Sequence, residues 1–143
     1  MRLSGVAEGV NENCMNKTLT TLNNQLNLSP PLTASDIDRL HRTGRTKSNG
    51  SPRQVLIKFA RYQDRQRVIQ RKSKLRDTNL FLSEDLSKLR NNLLYMAREK
   101  KREKQLQDCW SIDGRIMVKT LDGLTHKISN PSDLQGLFSD ASR

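Results

Sequence analysis

The chain has 143 residues, of which 34% are hydrophobic, and a formal net charge of +11. This length and composition allow one ordinary domain or two small ones, each with a small core. A pI near 10.2 favours a polyanionic partner, either nucleic acid or an anionic membrane surface. No apolar stretch is long enough for a signal peptide or a membrane span, so the sequence predicts a soluble, intracellular protein and excludes a transmembrane one.

The two cysteines, Cys14 and Cys109, are far apart in the sequence, and neither has a Cys or His pair close to it. This spacing is not that of a zinc site or of a secreted disulfide framework. We therefore expect two reduced cysteines and no metal site built on them.

The first residues predict a strand followed by a helix. In the strand, Met1–Val6, Leu3 would face a core. A strand that begins at the first residue predicts that the chain is the distal part of a longer protein, or a domain cut from one. The apolar residues of Cys14–Leu26 recur at helical spacing, and Asn11 or Asn13 could cap that helix. A Ser-Pro-Pro sequence then ends it.

Four further elements follow in the order strand, strand, helix and strand. Asp36–Arg42 predicts a strand whose uneven apolar spacing indicates a bulge, and Gln54–Phe59 alternates clearly between apolar and polar side chains. Gln63–Leu75 predicts a helix with a narrow apolar side, and Asn79–Ser83 predicts a short last strand. The order β-α-β-β-α-β predicts a ferredoxin-like domain, residues 1–86, in which two helices cover one face of an antiparallel four-stranded sheet.

Residues 87–143 predict a small C-terminal α+β domain. A long helix, residues 87–107, precedes three strands, residues 109–112, 115–120 and 124–128. Asp-Gly pairs between these strands are typical of hairpin turns. Asn130 and Pro131 have the pattern of a helix start and predict a closing helix. The residues expected to form the core of this domain are Leu89, Leu93, Ile116, Val118, Leu134 and Phe138.

Half of the basic residues lie in one stretch of the first predicted domain. Residues 36–77 hold 13 of the 26 Lys and Arg, with only four acids. Helices on one face of the sheet would leave the other face open, and alternation would place basic side chains there. Such a face suits single-stranded nucleic acid, because guanidinium groups bind phosphates and stack on unpaired bases. The candidate nucleic-acid-binding residues are Arg2, Arg39, His41, Arg42, Arg45, Lys47, Arg53 and Lys58.

Aromatic side chains, on which bases stack, are few in this sequence. They make up 4% of the residues. Leu56 and Lys58 occupy positions where an RNA-recognition motif usually has stacking aromatics. We therefore expect binding led by the phosphate backbone, with little sequence preference and a steep dependence on salt.

Two other classes of function are compatible with parts of the sequence. The chain could be a protein-interaction module whose charged helix, Lys88–Lys104, docks an acidic partner. It could also be a nuclease that holds a metal ion with Asp36 and Asp38. Against an enzyme, neither His41 nor His126 has a nucleophile at a recognisable spacing, and no phosphate-binding loop or nucleophile elbow occurs. The sequence therefore predicts no catalytic residue, no metal and no cofactor.

Several stretches of the chain are close to the pattern of one known family. They read RLSGVAEG, IDRLHRTGR, PRQVLIKFARYQDRQRVIQRKSKL, LFLSEDLS and WSIDGRIMVKTLDG. In this order, over about Leu3–Leu137, the chain resembles the first-open-reading-frame protein of LINE-type retrotransposons. The resemblance implies an atypical RNA-recognition motif followed by a small C-terminal domain.

The resemblance also implies a function. It predicts sequence-tolerant binding of single-stranded RNA and DNA, and a nucleic-acid chaperone role in a cytoplasmic ribonucleoprotein, with the nucleus as a second location. Matching positions implicate Arg39, Arg42, Arg45, Arg53 and Lys58. Members of the family usually trimerise through a coiled coil before the first strand. This sequence lacks that segment, so we expect a trimer only of a longer form that carries it, with the avidity that linked sites provide.

Overall fold

The structure, a computed structural model, describes residues 1–139 and has an α+β fold. The α+β class predicted from the sequence is thereby confirmed. The chain divides into a first unit, Met1–Ser83, and a second unit, Glu84–Arg143. The predicted domain boundary followed Leu86. Among the residues that the structure describes, no helix combines the length and the apolar character needed to cross a lipid bilayer.

The first unit combines two helices with one four-stranded sheet. Its elements are β1 (Arg2–Ser4), α1 (Cys14–Leu26), β2 (Ile37–Arg42), β3 (Val55–Phe59), α2 (Tyr62–Gln70) and β4 (Phe81–Ser83). The strand order across the sheet is β2-β3-β1-β4, and every neighbouring pair is antiparallel. A register shift lies between Ile37 and Arg39, where the sequence predicts a bulge.

Helix α1 begins and ends where its sequence predicts. The Asn13 side chain accepts a hydrogen bond from the Asn16 amide over 3.0 Å, which makes Asn13 the N-cap. Asn27 ends the helix in the left-handed conformation, with φ of 52°. Leu22 and Leu26 are fully buried, so one apolar face of α1 supplies much of the core of the first unit.

Helix α2 is shorter than predicted. It ends at Gln70, and a separate 3₁₀ turn, Lys72–Leu75, replaces its predicted last turn. The tighter turn carries Leu75 into the core that already contains Val68, where Leu75 is 5% exposed. Burial of Leu75 therefore favours the 3₁₀ turn over the continuous α-helix that the periodicity of the sequence predicts.

The second unit consists of two helices and a three-stranded antiparallel sheet, in which the strand order is β5-β6-β7. Its elements are α3 (Lys88–Arg102), β5 (Asp108–Ile112), β6 (Arg115–Lys119), β7 (Thr125–Ile128) and α4 (Pro131–Ser139). Helix α3 ends earlier than predicted, because Lys104 adopts φ of 61° and reverses the chain. That reversal brings Leu106 into the core, where it is 3% exposed.

The core of the second unit differs from the prediction at one residue. Leu93, Ile116, Val118 and Leu134 are buried, and Phe138 packs against them in part. Leu89 is 57% exposed, so its predicted core position is wrong. It lies in the first turn of α3, at the rim of a cavity of about 150 Å³, and not against the buried cluster.

The two Asp-Gly pairs of the second unit form different turns. Asp113 and Gly114 have φ of 50° and 78°, the positive values that a type I′ hairpin needs. Between β6 and β7 only Gly123 has a positive φ, and the Thr120 amide donates to the Leu124 carbonyl across a wider loop. Helix α4 begins as predicted, since the Asp133 amide donates to the Asn130 side chain over 2.9 Å.

Candidate functional site

The sheet of the first unit buries one face. Leu3, Val55 and Ile57 point into the core and are at most 2% exposed. Directly paired residues of antiparallel strands share a face, so the register assigns the opposite side. On that opposite side, one row across the four strands consists of His41, Leu56, Arg2 and Ser83. The neighbouring rows hold the pairs Arg39–Lys58 and Ser4–Phe81. The open face, as defined here, consists of Arg2, Ser4, Arg39, His41, Leu56, Lys58, Phe81 and Ser83.

Three basic side chains of β2 and β3 are exposed on the open face. They belong to Arg39, His41 and Lys58. Within residues 1–139, no hydrogen bond or ion pair engages the side chain of Arg39 or His41. Lys58 Nζ lies 3.3 Å from Asp38 Oδ2, with these side chains 71% and 54% exposed. Because an ion pair this exposed contributes little, a phosphate can replace Asp38 as the partner of Lys58.

Arg2 lies in the same row of the open face as Leu56 and His41, and its side chain is part of a polar network. Its Nη1 donates to Gln54 Oε1 over 3.0 Å, and Gln54 Nε2 donates to Ser4 Oγ over 2.9 Å. Arg2 is half-buried. The network fixes its guanidinium beside β3, so a ligand on this face would meet Arg2 in a preset position.

Arg42 lies on the core side of the sheet, because it pairs with the buried Val55. Its side chain is 6% exposed. Nε and Nη2 donate to the two carboxylate oxygens of Glu12, and Nη1 and Nη2 also donate to the carbonyl oxygens of Val6, Ala7 and Arg53. These five bonds use all of the donors that a guanidinium has. Arg42 is therefore a clamp within the first unit and has no donor left for a ligand.

Arg53 also forms an ion pair with a carboxylate, that of Glu8. Its Nε donates to Glu8 Oε1 over 2.8 Å and its amide donates to Glu8 Oε2 over 3.2 Å. The Arg53 guanidinium lowers the pKa of the Glu8 carboxyl, chiefly through the side-chain hydrogen bond. Arg53 Nη1 also donates to the Gly44 carbonyl over 3.1 Å, which closes the loop between β2 and β3.

That loop carries the last two predicted residues, Arg45 and Lys47, near the end of β2. Both are exposed, and no hydrogen bond or ion pair engages their side chains in the part of the chain that the structure describes. Of the predicted set, Arg39, His41, Arg45, Lys47 and Lys58 thus remain accessible to a ligand. Arg42 and Arg53 support the loop on which two of these residues lie.

Phe81 is an open-face residue that the sequence reasoning missed. It pairs with Ser4 across β1 and β4 and is 54% exposed. The sequence predicts a strand here, but alternation within so short a strand does not say which of its residues faces the core. The buried partner of Leu3 is Leu82, and this pairing gives Phe81 to the opposite face.

No protein-family model matches this chain, and no curated protein matches its sequence. The function is therefore inferred from the arrangement of the side chains.

The sheet of the second unit also has a face that its core does not use. Ile116, Val118 and Ile128 are buried on one side. On the other side Trp110, Met117 and Lys127 form one row. Arg115 and Lys119 occupy the neighbouring rows on that side. The chain's single tryptophan thus lies on a sheet face that carries three basic residues.

The two acids considered as metal ligands have other partners. Asp36 accepts hydrogen bonds from the Thr33 amide over 2.9 Å and from Arg61 Nη2 over 2.8 Å, and the pKa of Asp36 is lowered, mainly by the Thr33 amide. Asp38 pairs with Lys58. Among residues 1–139, no group of three or more His, Cys, Asp or Glu is placed to hold a metal ion.

Proposed function

We propose that this chain binds single-stranded RNA or DNA with little sequence preference through the open face of its first unit. The observation that supports this most is the cluster of accessible basic side chains on and beside that face. Arg39, His41 and Lys58 project from adjacent strands, and Arg45 and Lys47 follow β2 in the loop. A flat basic sheet suits a flexible single strand, whose phosphates and unpaired bases can both reach it.

The strand order also supports a ferredoxin-like, RNA-recognition-like fold for the first unit. Helix α1 links β1 to β2 and helix α2 links β3 to β4, whereas a loop without a helix joins β2 to β3. This is the connectivity expected of the split βαβ arrangement. Together with the resemblance to LINE-type first-open-reading-frame proteins, it supports a nucleic-acid chaperone role within a ribonucleoprotein.

The roles proposed for the basic residues differ from those implied by the resemblance. Arg39 binds a phosphate or stacks on a base, Lys58 binds a phosphate, and Arg45 and Lys47 extend the basic surface. Arg42 and Arg53 instead hold the loop and strand ends in place, since their donors are engaged by Glu12, Glu8 and backbone carbonyls.

Docking of an acidic protein on α3 is less well supported. The distal part of this helix carries its own acids, and Lys100 Nζ lies 3.8 Å from Glu103 Oε2. Lys101 Nζ lies 2.9 Å from Asp108 Oδ1 across the turn that follows the helix. Carboxylates thus lie among the basic residues at this end of the helix, so an acidic partner would meet a surface of mixed charge.

Fluorescence anisotropy with a labelled single-stranded RNA of about 30 nucleotides, measured over a range of salt concentrations, tests the proposal. We expect affinity to fall steeply with salt, to vary little with sequence, and to resist competition by duplex DNA. Arg39→Gln combined with Lys58→Gln should weaken binding on the order of ten-fold and lower the slope of log affinity against log salt by about 1.4, or about 0.7 per phosphate contact.

A matched control removes the same charge elsewhere. Arg98→Gln with Lys104→Gln alters exposed residues at the distal end of the second unit's long helix and in the turn after it. This control should leave the slope unchanged. A native chain that does not bind at low salt, or equal losses in both double variants, would contradict binding through the open face.

A further inference from the structure

A groove lies along the outer side of β4, which is an edge strand of the first sheet. Its volume is about 410 Å³, within the range of about 300–1,000 Å³ that is common for small-ligand sites. The residues that line it are Lys72, Ser73, Leu75, Arg76, Leu80, Phe81 and Leu82. The predicted nucleic-acid-binding set contains none of them.

One wall of the groove is an exposed aromatic ring. Phe81 is 54% exposed and belongs to the open face through its pairing with Ser4. Lys72 Nζ lies 5.7 Å from the centroid of the ring, so a cation is already held at the phenyl surface. The groove therefore begins at the margin of the proposed binding surface, with an apolar surface of the kind on which bases stack.

The charge of the groove selects an anionic ligand. Lys72 and Arg76 contribute two cations, and no acid lies among the described residues that line it. Leu75, Leu80 and Leu82 make its floor apolar. An apolar slot with a phenyl wall and a cationic rim matches a nucleotide, which has a flat base and a phosphate.

We propose that this groove receives one base of the bound single strand, stacked on Phe81, with the adjoining phosphate held by Lys72 and Arg76. This inference rests on the proposed function and extends the path of the strand across the sheet from β2 to β4. Addition of an extended acidic peptide to β4 is the competing use of such an edge. It is disfavoured because β4 has only three residues, which limits the backbone hydrogen bonds that an added strand can form.

The test compares two ligands and two aromatic variants. The ligands are a fluorescent oligo-deoxythymidine and a strand of the same length in which most sugars lack a base. Phe81→Leu keeps an apolar side chain at this position but removes the ring. Tyr62→Leu is the matched control, because Tyr62 is 56% exposed in the same unit and lies on α2, outside the groove.

We expect Phe81→Leu to weaken binding of the base-bearing strand by about five-fold or more, in line with alanine substitutions of stacking residues. Binding of the abasic strand should not change, and Tyr62→Leu should change neither ligand. Phe81→Trp should retain binding of the base-bearing strand, because indole also stacks. Thermal unfolding of each variant verifies that the first unit remains folded.

If the native chain binds, and Phe81→Leu either leaves the affinity unchanged or weakens binding of both strands equally, the inference is overturned and the proposed function stands. If the native chain binds neither strand, the proposed function fails and the inference fails with it. If Phe81→Leu abolishes binding of an extended acidic peptide while the oligo-deoxythymidine affinity stays native, the groove is a peptide site and the inference is wrong.

Discussion

Glu12 and Arg42 form a bidentate ion pair, in which Nε donates to Oε1 over 2.8 Å and Nη2 donates to Oε2 over 3.1 Å. Their side chains are 13% and 6% exposed. The Arg42 guanidinium also donates to the carbonyls of Val6 and Arg53. The pair thus joins the segment after β1 to the adjacent ends of β2 and β3, which lie far from it in the sequence.

Arg42→Lys should destabilise the first unit without a direct effect on nucleic-acid binding. Lysine keeps the charge but has three donors and no planar fork, so at least two of the five hydrogen bonds are lost. We expect a loss of about 2 kcal/mol in the free energy of unfolding, measured by urea denaturation. Arg45→Lys, in the exposed loop, is the control and should unfold like the native chain. Native stability of Arg42→Lys would exclude the role of Arg42 as a clamp.

The same pair predicts how stability depends on pH. Hydrogen bonds from Arg42, and then from the Gly9 amide, lower the pKa of Glu12 from 4.5 to about 2. Because the pKa is lower in the folded chain, folding favours the ionised carboxylate. The stabilisation by Glu12 is therefore complete above about pH 4.5 and is lost as the pH falls through about 2.

Glu12→Gln should remove this part of the acid dependence. The variant should be less stable than the native chain at neutral pH, and the difference should shrink as the pH falls from 4.5 towards 2. Urea denaturation at a series of pH values measures it. Glu103→Gln, whose carboxylate belongs to a 52% exposed side chain, is the control. A constant difference over this pH range would show that ionisation of Glu12 is not the cause.

Gly5→Ala should destabilise the first unit strongly. Gly5 has φ of 94°, and a Cβ atom added there would lie 2.1 Å from the Asn79 carbonyl oxygen, next to β4. Backbone strain and displacement of that carbonyl should together reduce the free energy of unfolding by about 2 kcal/mol or more. Gly44→Ala provides the comparison, since Gly44 has φ of 72° but open space around it. Equal losses in the two variants would mean that strain alone, and not the close approach to Asn79, limits this position.

Trp110 should report whether the sheet of the second unit takes part in binding. It is the only tryptophan, and it shares the face outside the core with Met117 and Lys127. We expect single-stranded RNA to quench its fluorescence as bases stack on the indole, and Trp110→Leu to weaken binding by about five-fold. An abasic strand serves as the control and should quench less. Unchanged emission while anisotropy reports binding would remove this face from the interface.

Local patterns in the sequence predicted much of the framework. The apolar face of α1, its N-cap at one of two candidate residues, the bulge at the start of β2 and the hairpin at Asp113-Gly114 were all predicted from neighbouring residues. Their physical causes act within a few positions of the chain, through side-chain caps, helical periodicity and positive φ. Alternation along β2 and β3 likewise grouped Arg39, His41 and Lys58, and the register places these three residues on one face.

By itself, the sequence determined the kinds of elements, their order and the concentration of positive charge. Only the tertiary structure decided which charges are accessible. Arg42 and Arg53 are engaged by Glu12 and Glu8, 30 and 45 positions away, whereas Arg39 faces solvent. Phe81 joined the open face through the pairing of β4 with β1. Such outcomes depend on strand register and on contacts between distant segments, because burial and ion pairing are properties of the packed chain and not of any local pattern.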